Sequence, residues 1–275
     1  MKTLKKLLSI TIILFSVASF SQDKIRGNKE VISDIRPVSA FTKIEILSNV
    51  DVELVASATQ EIVVVADSNL QEVITTEVSK GVLRIKTLAR ITRKKELKII
   101  VKVDDNLSEI AIREEAKVFS EASINVKTLT VNSYTNANIN LKLNAQNAII
   151  NAEKSSNVNL DVVSDMLDIS LEDGAKFKGN VNTKRLNTEL KGKSFINIKG
   201  NAEEALVEIT ENSTFKGKPL FIQDAEIRIS NNGDAEVNCT DNANIYMSNN
   251  AKVDLFSNPK IALIEFFDKA VLRKK

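Results

Sequence analysis

The sequence predicts an all-β protein, a right-handed parallel β-helix (β-solenoid) of about nine coils with a β-rich N-terminal cap. Three observations predict it. Val and Ile alternate with polar residues almost throughout, helical periodicity is hard to find past the first twenty residues, and from Leu107 onward the pattern recurs at about 19 residues.

Residues 1–21 are expected to be a signal peptide, because Lys2, Lys5 and Lys6 precede an apolar run from Leu7 to Phe20 with Ser19 and Ser21 at its end. The run is shorter than the roughly 20 residues a membrane helix needs; the alternative is a retained N-terminal anchor. No cysteine follows it, so a lipoprotein anchor is not expected. Residues 22–40 show no period and are expected to form a linker or extended arm. Residues 41–106 are expected to hold a first coil, marked by Ile44 and Val52 eight residues apart, and then a cap. Its strands 61–66, 73–78, 82–87 and 97–103 fall outside the repeat, and Lys80-Gly81 suggests a hairpin turn. The whole of 41–275 is expected to act as one unit.

Within 107–275, one strand residue per unit sets the register: Ile110, Val131, Ile150, Ile169, Thr188, Val207, Ile229, Ile245 and Ile264. Eight residues after each stands an apolar residue, from Val118 and Ile139 through Val158, Phe177, Ile196, Phe215, Val237 and Val253 to Leu272. Six residues after each stands Ala or Ser: Ala116, Ala137, Ser156, Ala175, Ser194, Ser213, Ala235, Ala251 and Ala270. Stacked coils explain both columns, since like positions then meet at the strand spacing of roughly 4.8 Å. The small column lies just past a bend, where two converging strands leave little room. Parallel crossovers favour the right-handed sense.

Composition excludes several functions. The chain has no His and no Trp, which removes Ser-His and Cys-His nucleophiles and His-ligated zinc; the single Cys239 permits no intrachain disulfide and is expected to face inward as a small filler. Without Lys2, Lys5 and Lys6 the chain carries 35 basic against 36 acidic residues, net about −1, so no general attraction to nucleic acid is expected. A local exception runs through Arg84, Lys86, Arg90, Arg93, Lys94, Lys95, Lys98 and Lys102. Its alternation with Leu83, Ile85, Leu97, Ile99, Val101 and Val103 fits a hairpin with cations outward, either a solvated edge or an anion-binding patch.

The opening Phe41-Thr-Lys-Ile-Glu-Ile-Leu-Ser-Asn-Val-Asp-Val-Glu-Leu54, the segment Gly81-Val-Leu-Arg-Ile-Lys86 and the later repeats resemble the secreted Bacteroidetes proteins called putative auto-transporter adhesins, head GIN domain. That resemblance covers most of the mature chain and implies an exported β-helical domain with an adhesin-like role and no established catalytic activity. Where that family often has glycine-serine turns, this chain has turns such as Thr135-Asn136-Ala137; Asn also tolerates the left-handed backbone.

Candidate chemistry is sparse. Asn138, Asn140, Asn157, Asn159, Asn197 and Asn238 are expected to point outward, either as amide ladders between coils or as a polar face for carbohydrate, although only Tyr134 and Tyr246 offer a tyrosine ring for stacking. Glu114, Glu115, Glu172, Asp173, Asp234 and Asp268 sit at turns but do not stack, so neither paired catalytic acids nor a calcium cage is expected. No catalytic, metal or cofactor-binding residue is assigned, and no cofactor. The expected function is a noncatalytic exported protein of the periplasm, outer surface or medium, an adhesin or envelope-recognition protein whose partner is a glycan or envelope component. The alternatives are a polysaccharide-active β-helix enzyme using an unconventional acid or lysine, or a structural spacer that associates through an open coil end.

Overall fold

The computed structural model describes residues 23–275; the expected signal peptide lies outside them. The cap region contributes β1 (Lys24–Arg26), β2 (Val31–Arg36), β3 (Lys43–Ile46), β4 (Asp51–Ala56), β5 (Glu61–Asp67), a 3₁₀ turn (Ser68–Val73), β6 (Ile74–Ser79), β7 (Val82–Thr87), β8 (Arg90–Arg93) and β9 (Leu97–Val103). The repeats follow as β10 (Glu109–Ile112), β11 (Lys117–Ser133), β12 (Asn138–Ala152), β13 (Asn157–Leu171), β14 (Lys176–Leu190), β15 (Phe195–Ile209), β16 (Thr214–Ile229), β17 (Asp234–Met247), β18 (Lys252–Phe256), β19 (Lys260–Phe266) and β20 (Val271–Lys274). From β10 on, each strand pairs in parallel with its counterpart one coil away, which makes the molecule a parallel β-solenoid.

The predicted files are interior. Val118, Ile139, Val158, Phe177, Ile196 and Phe215 lie opposite one another in successive coils and are buried. Ile44 and Val52 join them, pairing with Ile110 and Val118, so 43–56 is a coil in register with the stack.

Two register marks are displaced. Ile227, not Ile229, lies opposite Val207 and Ile245, and Leu263 rather than Ile264 follows Ile245. Consequently Ala235 faces Phe215, and the small column is occupied at that coil by Gly233, whose carbonyl takes the Lys252 amide just as the Ser213 carbonyl takes the Asp234 amide. The cause is an extra residue in β16 around Pro219, where the pairing jumps from Asn197–Lys216 to Gly200–Leu220. Proline lacks the ladder donor, so it sits in the irregularity. A Cβ on Gly233 would come within 2.6 Å of Ile229 and 2.9 Å of Ile209, which shows how tight the bend is.

Each long strand turns a second corner that the repeat did not reveal. In β13 the inward residues Val158, Leu160, Val162 and Ser164 are followed by two outward neighbours, Asp165 and Met166, before Leu167, Ile169 and Leu171 turn inward again. Val126, Ala145, Ser164, Thr183, Ala202, Ile222 and Cys239 form the file at this corner. Cys239 is therefore buried, as expected, and burial pushes its thiol above the ordinary range. At the first bend, paired left-handed residues precede the small column from Lys154–Ser155 to Asp268–Lys269, and most are not glycine.

The N-terminal end departs from the repeat in a specific way. β7 pairs in parallel with β3, Leu83 opposite Ile44, and β9 with β4, Ile99 opposite Val52. Residues 82–103 thus form a further coil, outside the 43–56 coil although later in the chain. β6 and β5 close it as antiparallel partners of β7 and β9, the former through the expected hairpin turn at Lys80-Gly81. The basic stretch from Arg84 to Lys102 is not a hairpin: β7 and β9 do not pair with each other, because each is stacked on a different strand of the coil beneath, and β8 between them pairs with β1. Its apolar residues do face inward. Within 22–40, β1 and β2 are both paired, the second antiparallel to β5. At the opposite end the last coil is open, with Ile261, Leu263, Phe266 and Val271 more than two-fifths exposed.

Adjacent inward positions trade volume. The Phe177 ring fills the space beside Gly179, whose Cβ would lie 2.6 Å from it, while the preceding coil divides the same space between Val158 and Leu160. Gly179→Leu alone should cost about 1–3 kcal/mol in urea unfolding by overpacking. Combined with Phe177→Val, it should cost clearly less than alone, since the pair then reproduces its neighbour.

Candidate functional site: a basic cleft beside the cap

Leu83 and Ile99 occupy the two main files sixteen residues apart, where Ile44 and Val52 are eight apart. The surplus, from Leu88 to Glu96, leaves the coil, and its strand β8 pairs in parallel with β1 to form a two-stranded ribbon. Between that ribbon and the 43–56 coil lies a cleft of about 1050 Å³. Arg26, Lys29, Lys86, Arg90, Arg93 and Lys94 line it, with Ser48, Asn49 and Thr87 on the coil side and Glu114 as the one acid of the lining.

The clamp holding both basic edges is a buried carboxylate. Asp67, at the end of β5, accepts the backbone N–H of Lys29 at 2.9 Å, of Lys95 at 3.1 Å and of Glu96 at 3.2 Å. Burial raises the carboxyl's pKa, but the three amides together outweigh it and hold Asp67 below its ordinary 3.8. Gly27 runs so close that a Cβ there would lie 2.0 Å from Asp67 Oδ2, and its own N–H donates to the Arg93 carbonyl at 2.8 Å. Ser48 Oγ accepts the Thr87 amide at 2.9 Å, tying the coil to the base of the excursion.

Four cations on the solenoid wall next to the cleft are held in ion pairs. Glu45 binds both Arg84 at 2.9 Å and Arg113 at 2.7 Å, and Arg113 chiefly holds the Glu45 carboxyl below the usual range. Glu53 pairs with Lys98 and Glu61 with Lys102. None of the six cleft cations has an ion-pair partner among the described residues.

The other sequence candidates are dispersed. Amide ladders do form between coils, at Asn140–Asn159 (3.1 Å), Asn132–Asn151 (2.8 Å) and Asn125–Asn144 (3.2 Å). Asn138, Asn157 and Asn197 are exposed as expected, but Asn238 is buried: its amide donates to the Lys218 carbonyl in the irregular turn of β16 and accepts from Ser257. Tyr134 and Tyr246 are covered by Arg113 and Arg228. Of the six turn carboxylates only Glu114 reaches the cleft, where it faces cations rather than a second acid. Among the described residues no three metal-ligating side chains gather, and no helix is long and apolar enough to cross a membrane. Sequence reasoning missed Arg26, Lys29 and Asp67; the only local signal was the surplus between Leu83 and Ile99.

A parallel β-solenoid with a folded N-terminal cap and a lateral excursion defines the class of protein. The family model for the putative auto-transporter adhesin, head GIN domain, matches residues 40–162 and 160–259, and the chain belongs to that family. Among solved structures it is similar to a putative adhesin from Parabacteroides distasonis (18% identity, TM-score 0.68, covering 92% of this chain and 100% of that one) and to one from Parabacteroides merdae (17%, 0.64, 92% and 99%). A putative lipid binding protein from P. distasonis shares the fold as well (16%, 0.65, 92% and 97%). No curated protein matches the chain.

The clamp has a testable pH signature. Because the native Asp67 pKa is depressed, its contribution is fully present above about pH 4 and is lost as pH falls through the native value. Protection of the Lys29, Lys95 and Glu96 amides against hydrogen exchange, taken relative to the intrinsic rate at each pH, should therefore fall in acid, and Asp67→Ala should lower it at neutral pH by about tenfold or more. Unchanged protection in both cases would refute the clamp.

Proposed function

We propose that the mature chain is an exported, noncatalytic, adhesin-like protein that recognises a component of a cell surface. The observation that carries this reading is a hydrogen-bonded stack bearing a half-open, largely polar cleft of about 1050 Å³ beside an excursion from its coils, an arrangement suited to holding a ligand. Family membership and the adhesin-like neighbours support the role, and the basic-then-apolar N-terminus supports export. Cell fractionation with surface protease digestion should find the chain outside the inner membrane, and purified mature protein should bind isolated envelopes saturably. A cytoplasmic address, or no envelope binding by folded protein, would overturn the reading.

One observation favours the spacer alternative: among the described residues nothing covers Leu263 and Phe266, and β19 and β20 each pair on one side only. If end-to-end association is its role, sedimentation should show a concentration-dependent dimer that Leu263→Glu with Phe266→Glu abolishes. A strictly monomeric species across a wide concentration range removes that reading.

A further inference from the structure

We propose that the cleft between the β1–β8 ribbon and the 43–56 coil is a binding site for an acidic polysaccharide, one bearing carboxylate or sulfate groups along its chain. This rests on the recognition role above and names its ligand class.

The first argument is electrostatic. Arg26, Lys29, Lys86, Arg90, Arg93 and Lys94 converge on one concavity in a chain whose mature net charge is about −1. Their neighbours Lys98 and Lys102 each pair with a carboxylate and Arg84 and Arg113 share Glu45, whereas the six cleft cations make no ion pair among the described residues and face one acid, Glu114. A concave wall of one sign focuses its field on the opening. The three guanidiniums are fork-shaped donors suited to carboxylate and sulfate oxygens.

The second argument is size and lining. At about 1050 Å³ the cleft exceeds what one inorganic anion fills and matches the upper end of ligand sites. Its apolar lining is confined to Leu47, Ile91 and Leu97, which form no channel for an acyl chain. No aromatic ring lines it, so it lacks the stacking platform on which single-stranded nucleic acid relies. Asn49, whose side-chain amide has no partner among the described residues, lines the cleft and can bond a hydroxyl.

The third argument is rigidity. Asp67 fixes the backbone on both basic edges, and Gly27 and Arg93 are joined directly, so binding needs to order side chains but not the backbone that carries them.

Titration of full-length mature protein at low and physiological salt tests the site with polygalacturonate, dextran sulfate, neutral dextran, inorganic phosphate and phosphatidylglycerol vesicles. Polygalacturonate or dextran sulfate should bind, more weakly as salt rises, and neutral dextran should not. Arg90→Glu with Arg93→Glu should weaken binding by about tenfold or more, and the gentler Arg93→Gln with Lys94→Gln should weaken it in the same direction. Lys178→Glu, on the far coils, should leave it unchanged. Equal binding by the cleft variants and the parent, equal binding of neutral dextran, or binding of phosphate or vesicles alone would overturn the proposal. Saturable envelope binding that persists without polysaccharide binding would sink this ligand class and leave the recognition role standing. Release of unsaturated uronate from polygalacturonate would support the ligand class while overturning the noncatalytic reading, with Glu114 and the cations as the groups to mutate first.

Discussion

The structure depends on the direct superposition of one coil on the next. A parallel backbone ladder fixes the distance between equivalent residues, so every side chain must pack against its own counterparts above and below. At the first bend only Ala, Ser or Gly fits: Ala137, Ser156, Ala175, Ser194, Ser213 and Gly233 are all buried there. Further from the bend the same rule becomes one of shared volume, with Phe177 beside Gly179 between coils that hold Val158 with Leu160 and Ile196 with Ile198, and Phe215 beside Gly217 facing the small Ala235. Outside, it becomes one of polarity. Like charges one coil apart repel, and several outer positions pair Asp165 with Lys184, Arg185 with Glu204 and Lys216 with Glu236, or stack amides that donate to one another, while Glu189 opposite Glu208 is offset by Lys191 and Arg228.

That constraint explains what was legible in the sequence. A rule imposed at every coil leaves a periodic trace, and the Ala/Ser column with its apolar companion identified the solenoid and the Ile44–Val52 coil. It misplaced two marks where the trace is locally degenerate. In Glu226-Ile227-Arg228-Ile229 both isoleucines face inward, and only the pairing of neighbouring strands shows which one continues the file. The second corner escaped for a related reason: Val126, Ala145, Ser164, Thr183, Ala202, Ile222 and Cys239 share burial but neither size nor polarity.

The cleft was barely legible because its parts meet only through non-local pairing. β1 contributes Arg26 and β8 contributes Arg90 and Arg93, more than sixty residues away, and nothing near either segment announces the other. The cationic stretch was visible, but its alternation suggested two strands of one hairpin. In the fold those strands continue two different strands of the coil below, and the residues between them are pushed outward. Asp67 gave no signal at all, since its role is to accept backbone amides whose residue types do not matter.

The position of the excursion is itself consistent with the packing rule. Within the stack, an added residue shifts every contact above and below it, and β16 absorbs its single extra residue only through an irregularity around Pro219 that also displaces Asn238 inward. At the outermost coil the surplus from Leu88 to Glu96 has a neighbour on one side only, so it can leave the sheet without breaking register elsewhere. Its exit strips β8 of solenoid partners, and β1 supplies the missing backbone bonds. The segment freed from stacking is thereby also freed from the need to match charge between coils, and it carries Arg90, Arg93 and Lys94 of the cleft.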